Sequence, residues 1–332
     1  MTIGQFLALR WEDPGIPLIE PPWPSPVLAD PTFLFPHETP GHNWLLFAHD
    51  AFGLRRYESD DGLSWESRGR VLPWGMRPFV RRVKEGYILA YERYRPFALP
   101  MQMLPRRPSW KSSIELRMSA DAVAWSEPVT LLESSFFWSD AGALGQSVSN
   151  PCLVPIGLPG GVGRPGGATP GSWRLWFSAS LVTIPDCGFD EPKFIGASDA
   201  PSIHGPFSAP PAPLLDPASD AAPGALGAGS IKVLELEDGW IGLQNKLTQG
   251  AEDSSRSALF ILRSSDGLHF ELARDEPLLA PSPGWRSSHV YACDFRINPT
   301  DGAVYLYFNA RDGAYKSEGR ERIGRIVGLP SA

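Results

Sequence analysis

Polar residues recur at equivalent positions of the apolar, strand-like segments of this sequence, and they are the first candidates for chemistry. Alignment of five such segments places one polar residue at the same position in each: Asp30, Arg77, Asn150, Ser230 and Asp294. Five further segments carry polar residues near their C-terminal ends: His49, Glu92, Ser178, Asn245 and Asn309. Repeated polar positions within apolar strands predict two rings of side chains that face a common channel rather than the core.

The carboxylates of these rings are the groups best suited to catalysis. Asp30, Glu92 and Asp294 would repel one another near a channel centre unless one of them is protonated or Arg77 lies between them. We therefore predict that the three carboxylates are catalytic and that Arg77 binds substrate. Solvation of a water-filled channel is an equal alternative for three neutral members: Ser178, Ser230 and Asn245.

An internal repeat predicts the elements that would position these residues. A turn followed by an aromatic residue occurs at 59–65, 119–125, 198–207 and 264–270, and each copy leads into a segment rich in proline or leucine. A fifth copy of that segment stands alone at residues 6–23. Five copies in 332 residues suit four-stranded propeller blades, at about 66 residues each. The sequence thus predicts an all-β, five-bladed β-propeller, with residues 1–332 as a single domain and an N-terminal strand near Phe6–Trp11 closing the last blade.

In a propeller, the segments that lead into the inner strands share one face with the loops between second and third strands. Aromatic and polar residues of these segments are further candidates for the site: Trp23, Trp74, Trp138, Asp140, Trp285 and His289. The loops at 94–111 and 180–193 belong to the same face. Flat apolar rings beside hydrogen-bonding groups are what a carbohydrate site needs. For the Trp and Phe residues that end each repeated turn, we expect packing between blades instead.

Composition and charge narrow the range of partners. The chain has 30 Lys and Arg against 37 Asp and Glu, a net charge of −7, and no block of like charges, which disfavours nucleic acid and acidic membranes. The N-terminal residues show neither a basic region nor an apolar stretch typical of a signal peptide, so we expect a cytoplasmic protein. Three widely spaced cysteines fit neither a disulfide framework nor a zinc site. A small carbohydrate or glycoside is the expected partner.

The repeat, the turns with the pattern S-x-D-G-x-x-W, the early Ala29-Asp30-Pro31 and the late LYFNARDG segment resemble the clan of five-bladed propeller glycoside hydrolases. That clan includes families 43 and 32 and the mannoside phosphorylases, and the resemblance covers nearly the whole chain. It implies that Asp30 is the general base or nucleophile. The acid motifs of the clan are not preserved, because Phe79 stands where family 43 has a second Asp and GAGSIKV has no carboxylate.

Hydrolysis of a glycoside needs one carboxylic acid to protonate the leaving oxygen and one carboxylate to attack or to activate water. Asp30 with Glu92 and Asp30 with Asp294 are both candidate pairs, and Asp140 is a third source of the acid. Retention and inversion both stay open, since they depend on the separation of the carboxylates. We expect a glycosidase; the alternative is an altered propeller that binds a sugar or acts in biosynthesis without hydrolysis.

No cofactor is expected. The spacing of the six histidines does not predict a catalytic zinc. The resemblance leaves a structural calcium in the channel near His289 as an alternative, although a hydrogen-bonding role for His289 is the main expectation.

Overall fold

The computed structural model describes residues 1–102, 104, 108–139, 144–156, 171–219, 224–250 and 254–330. Its strands form five sheets, antiparallel except for the parallel pairing of two residues at 145–146 with the strand that begins at Trp110, and each sheet contacts the next, with the fifth returning to the first. The all-β, five-bladed propeller predicted from the repeat is therefore confirmed. Among the described residues, no helix has the length and apolar character needed to cross a membrane.

The blades follow one another along the chain. The first blade contains β2 (Ala29–Leu34), β3 (Trp44–Asp50), β4 (Gly53–Ser59) and β5 (Glu66–Pro73). The second contains β6 (Gly75–Val83), β7 (Gly86–Tyr94), β8 (Trp110–Ser119) and β9 (Val129–Glu133), with β10 (Gly145–Gln146) added beside β8. The third contains β11 (Val148–Ile156), β12 (Ser172–Thr183) and β13 (Asp190–Ala200). The fourth contains β14 (Ala225–Leu236), β15 (Gly239–Gln249), β16 (Ser255–Ser264) and β17 (Glu271–Leu272). The fifth contains β18 (His289–Ile297), β19 (Val304–Arg311), β20 (Glu321–Leu329) and the N-terminal β1 (Arg10–Glu12).

Within the described part of the chain, two short α-helices accompany the strands. Helix α1 (Ile3–Leu7) precedes β1, and a capping box between Thr2 and Gln5 satisfies amide groups at its start. Helix α2 (Ala98–Met101) lies in the loop between β7 and β8. This second helix is relevant to the site because its residues Leu99 and Pro100 line the central cavity described below.

The N-terminal strand closes the fifth blade as predicted. Strand β1 pairs antiparallel with β20, with Trp11 opposite Gly328, so the outermost strand of this blade comes from the other end of the chain. Phe6 is fully buried and packs edge-on against Phe295 at 5.9 Å between ring centroids. Closure removes a free sheet edge and fixes both chain ends.

We expect deletion of residues 1–20 to abolish cooperative thermal unfolding or to lower the melting temperature by at least about 10 °C. The deletion removes β1 and the buried Phe6, and truncation of a buried Phe alone typically costs about 3–5 kcal/mol. Circular dichroism melting would measure the effect. Ile16→Ser is the control, because Ile16 is 58% exposed in the same segment and its replacement should leave melting unchanged. If the truncated protein melts like the full chain, the N-terminal strand does not stabilise the propeller by closing the fifth blade.

The repeated turns hold the blades against one another. Asp61 Oδ1 accepts hydrogen bonds from the amides of Leu63 and Ser64, and the next repeats form equivalent turns around Asp121 and Asp266. The aromatic residue after the turn packs on a neighbouring blade. Trp65 contacts Tyr307 of the fifth blade at 5.7 Å between centroids. Packing between blades, as expected from the sequence, is the role of this position.

The third blade departs from the four-stranded pattern. Its expected fourth strand, in the FSAPPAPLLDP segment, is reduced to one isolated bridge between Ile195 and Leu215. Proline has no amide hydrogen and cannot donate to a sheet ladder. Four prolines between residues 210 and 217 therefore explain why only a bridge forms there.

Candidate active site

A bulge near the start of the inner strand sets the position of each candidate residue in the first three blades. The pairing register shifts between Ala29 and Thr32 in β2, and β6 and β11 shift in the same way. The residues at these bulges have positive φ and precede a proline: Asp30 (φ 54°), Arg77 (φ 54°) and Asn150 (φ 50°). Non-glycine residues rarely adopt such angles, and bulges re-aim side chains near functional sites. Asp30, Arg77 and Asn150 all line one central cavity.

The last two blades do not follow the predicted alignment. Their bulges lie between Gly227 and Ser230 and between Val290 and Cys293, so that Gly229 and Tyr291 take the position equivalent to Asp30. Ser230 still lines the cavity, one residue further along. Asp294 lies three residues deeper, and its predicted equivalence to Asp30 was wrong. The bulges of β2, β6 and β11 are marked by a polar residue before proline, whereas no proline marks those of β14 and β18, and the apolar pattern alone did not locate them.

Asp294 belongs to the packed channel below the cavity. It is 3% exposed, and its Oδ2 accepts hydrogen bonds from Thr32 Oγ1 at 2.7 Å and Arg296 Nη2 at 2.9 Å. Arg296 also donates to the carbonyl oxygen of Val80. These bonds join the fifth, first and second blades, and Asp294 is not among the residues that line the cavity.

The central cavity has a volume of about 470 Å³, within the range of small-molecule sites. Its deepest part is polar and comes from several blades. The buried side chains of this part, called the polar floor here, are His49, Asn150, Ser230, Asn245 and Asn309. Four carboxylates, Asp30, Asp190, Glu191 and Glu321, line the cavity beside them, and Asp190 Oδ1 accepts a hydrogen bond from Thr183 Oγ1 at 2.7 Å.

Asp30 is held by two residues of the floor. Its Oδ2 lies 2.9 Å from His49 Nε2, and its amide donates to Asn309 Oδ1 at 3.0 Å. Burial by itself would raise the pKa of Asp30, but the hydrogen bond and charge of His49, with the charge of Arg77, outweigh it and lower that pKa. Burial lowers the pKa of His49, yet the bond to Asp30 reverses the effect and raises it. Asp30 is therefore ionised at neutral pH.

Glu92 is a partner of Arg77 rather than a wall of the cavity. The Glu92 side chain is fully buried; its Oε2 accepts from Arg77 Nη1 at 2.6 Å and its Oε1 from Trp110 Nε1 at 3.1 Å. The structure thus places Glu92 behind Arg77, out of contact with the cavity. Its arrangement suits a positioning residue, since both carboxylate oxygens are already bonded.

Glu191, at the start of β13, was not among the predicted residues and lines the cavity directly. Burial raises the pKa of Glu191 to about 8, the charge of Arg77 opposes the rise, and repulsion from Glu321 and Asp30 adds to it. The carboxyl group is therefore mostly protonated at pH 7. The sequence did contain a signal for it: the acidic pair Asp190-Glu191 lies near the end of the loop at 180–193, which was already predicted to lie on the face of the site.

Glu321, at the start of β20, is a further carboxylate of the cavity that the sequence analysis missed. It is buried, and Asn309 Nδ2 donates to its Oε1. Burial, together with repulsion from Asp30, raises the pKa of Glu321 to about 6, while Arg311 opposes the rise. Glu321 is therefore largely ionised at neutral pH, in contrast to Glu191.

The predicted aromatic candidates lie outside the cavity wall. Trp23 is 92% exposed, and Trp74 packs against Phe97 at 4.4 Å between centroids. Trp138 is buried against Phe177 in the core of the third blade, and its Nε1 donates to the carbonyl oxygen of Pro210. Trp285 stacks on Phe308 in the fifth blade. Asp140 lies outside the described residues.

His289 is buried behind the cavity wall and offers a poor site for calcium. Its ring stacks on Tyr291 at 5.5 Å and meets Phe189 edge-on, and its Nε2 has no hydrogen-bond partner. Burial and then the charge of Arg311 lower its pKa to about 4, so the ring is neutral. Calcium takes six to eight oxygen ligands, whereas aromatic rings and a cation surround this nitrogen. The described residues form no group of His, Cys, Asp and Glu that could hold a metal ion.

Comparisons with known proteins place the fold. The chain matches no protein-family model and no curated protein by sequence. A solved structure described as a glycoside hydrolase aligns with a TM-score of 0.69 at 12% identity, covering 100% of this chain and 97% of the other. A thermostable family-43 glycoside hydrolase aligns at 0.59 and 12% identity, covering 94% and 92%.

A third similar structure carries a sugar. It is an N-acetylgalactosamine deacetylase from F. plautii in complex with blood group B trisaccharide, with a TM-score of 0.62 at 12% identity, covering 96% of this chain and 95% of the other. At such low identities the likeness concerns the fold. This chain has the five-bladed propeller fold of glycoside hydrolases of the family-43 type, as the resemblance in its sequence implied.

Proposed function

We propose that this protein is a glycoside hydrolase that acts on a small glycoside bound in the central cavity. The observation that carries the proposal is a pair of carboxyl groups in one cavity with pKa values shifted in opposite directions. The pKa of Asp30 is lowered and that of Glu191 is raised to about 8. Two carboxyl groups whose pKa values differ in this way can act at the same pH, one as the base or nucleophile and the other as the acid.

In the proposed reaction Asp30 is the ionised carboxylate. It attacks the anomeric carbon or takes a proton from the water that does so, and the glycosidic bond to the leaving oxygen breaks. Glu191 gives its proton to that oxygen, so the leaving group departs as a neutral alcohol. The hydrogen bond with His49 and the positive charge of Arg77 keep Asp30 ionised.

The remaining polar residues would bind the sugar. Arg77, held by Glu92, and Asn150 reach the cavity from adjacent inner strands and can hydrogen-bond to sugar hydroxyls. The amide groups of Asn245 and Asn309 already bond to the protein, which fixes their orientation. A floor of this kind suits a ring with several hydroxyl groups.

A sugar-binding propeller without hydrolysis is the second candidate. The observation that favours it is the composition of the bulges, because only the first blade has a carboxylate there and the next three have Arg77, Asn150 and Gly229. In this case Glu191 would be a hydrogen-bond donor to a bound sugar rather than an acid. The cytoplasmic location and the carbohydrate partner expected from the sequence stay predictions.

The pH dependence of kcat/KM tests the proposal. Glu191 must be protonated to act as an acid, so activity should fall as pH rises through about 8, tenfold for each further pH unit. The acidic limb, which reports Asp30, should lie below pH 4 because that pKa is lowered from 3.8. Initial rates on a panel of 4-nitrophenyl glycosides would give the profile. Absence of cleavage of every glycoside, with sugars still bound, would favour the second candidate.

A further inference from the structure

The cavity changes in character between its floor and its mouth. Side chains of the polar floor are all less than about 7% exposed, whereas the half-buried residues nearer solvent on one side are apolar. These apolar residues, called the apolar rim here, are Val27, Phe52, Leu99, Pro100 and Phe189. A ligand that fills the cavity therefore meets both the hydrogen-bonding groups of the floor and the hydrocarbon of the rim.

The apolar rim is confined to loops of the first three blades. Val27 precedes β2, Phe52 lies in the turn between β3 and β4, Leu99 and Pro100 belong to α2, and Phe189 precedes β13. The mouth also contains Lys316 and Ser317 from the fifth blade. Their loop lies against the loop that carries Phe189, since the amide of Lys316 donates to the carbonyl oxygen of Cys187.

The side-chain N–H groups of Gln102 and Trp110, near the apolar rim, already donate hydrogen bonds within the protein. Gln102 lines the cavity, but its Nε2 donates to the carbonyl oxygens of Ala98 and Pro108 in its own loop. Trp110 Nε1 donates to Glu92. A second sugar placed here would leave hydroxyl groups desolvated without partners, which is unfavourable. The two aromatic rings of the rim are already covered on one face, Phe189 by the guanidinium group of Arg311 at 4.5 Å from the ring centroid and Phe52 by that of Arg70 at 5.7 Å. The other rim side chains have no flat ring on which a sugar could stack.

We propose that the substrate is a glycoside of a single sugar whose aglycone is apolar, an alkyl or aryl group, rather than an oligosaccharide. The inference rests on the proposed function and extends it. The sugar occupies the polar floor beside Asp30, and the aglycone extends over the apolar rim toward α2. Removal of the aglycone from water supplies binding free energy that a second sugar would not gain there.

The test compares methyl and hexyl glycosides of glucose, galactose, mannose, xylose and arabinose, in both anomers and below micelle-forming concentrations. Each buried methylene raises affinity by about three- to fourfold, so kcat/KM for the hexyl member of the preferred pair should exceed that of the methyl member by at least about thirtyfold. Leu99→Ser should reduce this ratio about fivefold. Leu63→Ser, in an exposed turn away from the cavity, should leave the ratio unchanged.

Calorimetric titration of the same pairs separates this inference from the proposed function. If no glycoside is cleaved but hexyl glycosides bind at least about tenfold more tightly than methyl glycosides, hydrolysis fails and the apolar subsite stands. A hexyl to methyl ratio near one in both rate and affinity overturns the inference. So does a preference for disaccharides over hexyl glycosides of the same sugar, or binding of none of the pairs.

Discussion

Asp30→Asn is expected to lower kcat by at least about 1,000-fold on every glycoside that the protein cleaves. The substitution removes the negative charge that attacks or activates water, and it retains the shape of the side chain at the bulge of β2. Affinity for substrate should stay within about tenfold, because the other contacts of the polar floor remain. Single-turnover kinetics with parallel binding measurements would give both quantities.

The same variant has a readout that does not depend on turnover. The pKa of His49 is raised by its bond to Asp30 and by the charge of that residue, so Asp30→Asn should lower the His49 pKa, measured by NMR titration. Asp294→Asn is the control: it alters a buried carboxylate outside the cavity and should lower the melting temperature without a comparable loss of kcat. Asp30→Asn activity within tenfold of wild type would exclude Asp30 as base or nucleophile.

Glu191→Gln is expected to slow cleavage of alkyl glycosides by about 100-fold or more, and of 4-nitrophenyl glycosides by less than about tenfold. Only a poor leaving group needs protonation in the transition state, whereas 4-nitrophenolate departs without it. The fall in activity above pH 8 should also disappear from the profile of this variant. A plot of rate against leaving-group pKa for wild type and variant would measure the difference.

Two glutamates serve as comparisons for Glu191. Glu92→Gln should weaken substrate binding by displacing Arg77 and Trp110, and its effect should not depend on the leaving group. Glu321→Gln tests the other carboxylate of the cavity whose pKa is raised, in this case to about 6. Leaving-group dependence in Glu321→Gln and none in Glu191→Gln would transfer the acid role to Glu321.

Local pattern was sufficient to predict the fold and part of the site. The turns around Asp61, Asp121 and Asp266 depend on neighbouring residues, so their repetition marks the blades directly. Asp30, Arg77 and Asn150 were found because each is a polar residue at the same position of the aligned apolar strands. The orphan segment at the N-terminus likewise predicted the pairing of β1 with β20.

The predictions that were wrong concern features that no local sequence pattern contains. The bulge of β18 carries no residue before proline to mark it, so Asp294, three residues further along, was aligned with Asp30 in error. Prolines reduced the fourth strand of the third blade to a bridge. Glu92 was correctly recognised as a polar position, but its burial behind Arg77 followed only from the packing of Trp110 against it.

The sequence alone determined that this protein is a five-bladed propeller with Asp30 at its centre, because strand repeats, turns and polar positions are local properties of the chain. Only the tertiary structure decided which carboxyl group can carry a proton at neutral pH. The raised pKa of Glu191 comes from burial and from repulsion by Asp30 and Glu321, which are distant along the chain. Ring closure brings these three carboxyl groups into one cavity of low polarity, and their proton affinities are set by that proximity.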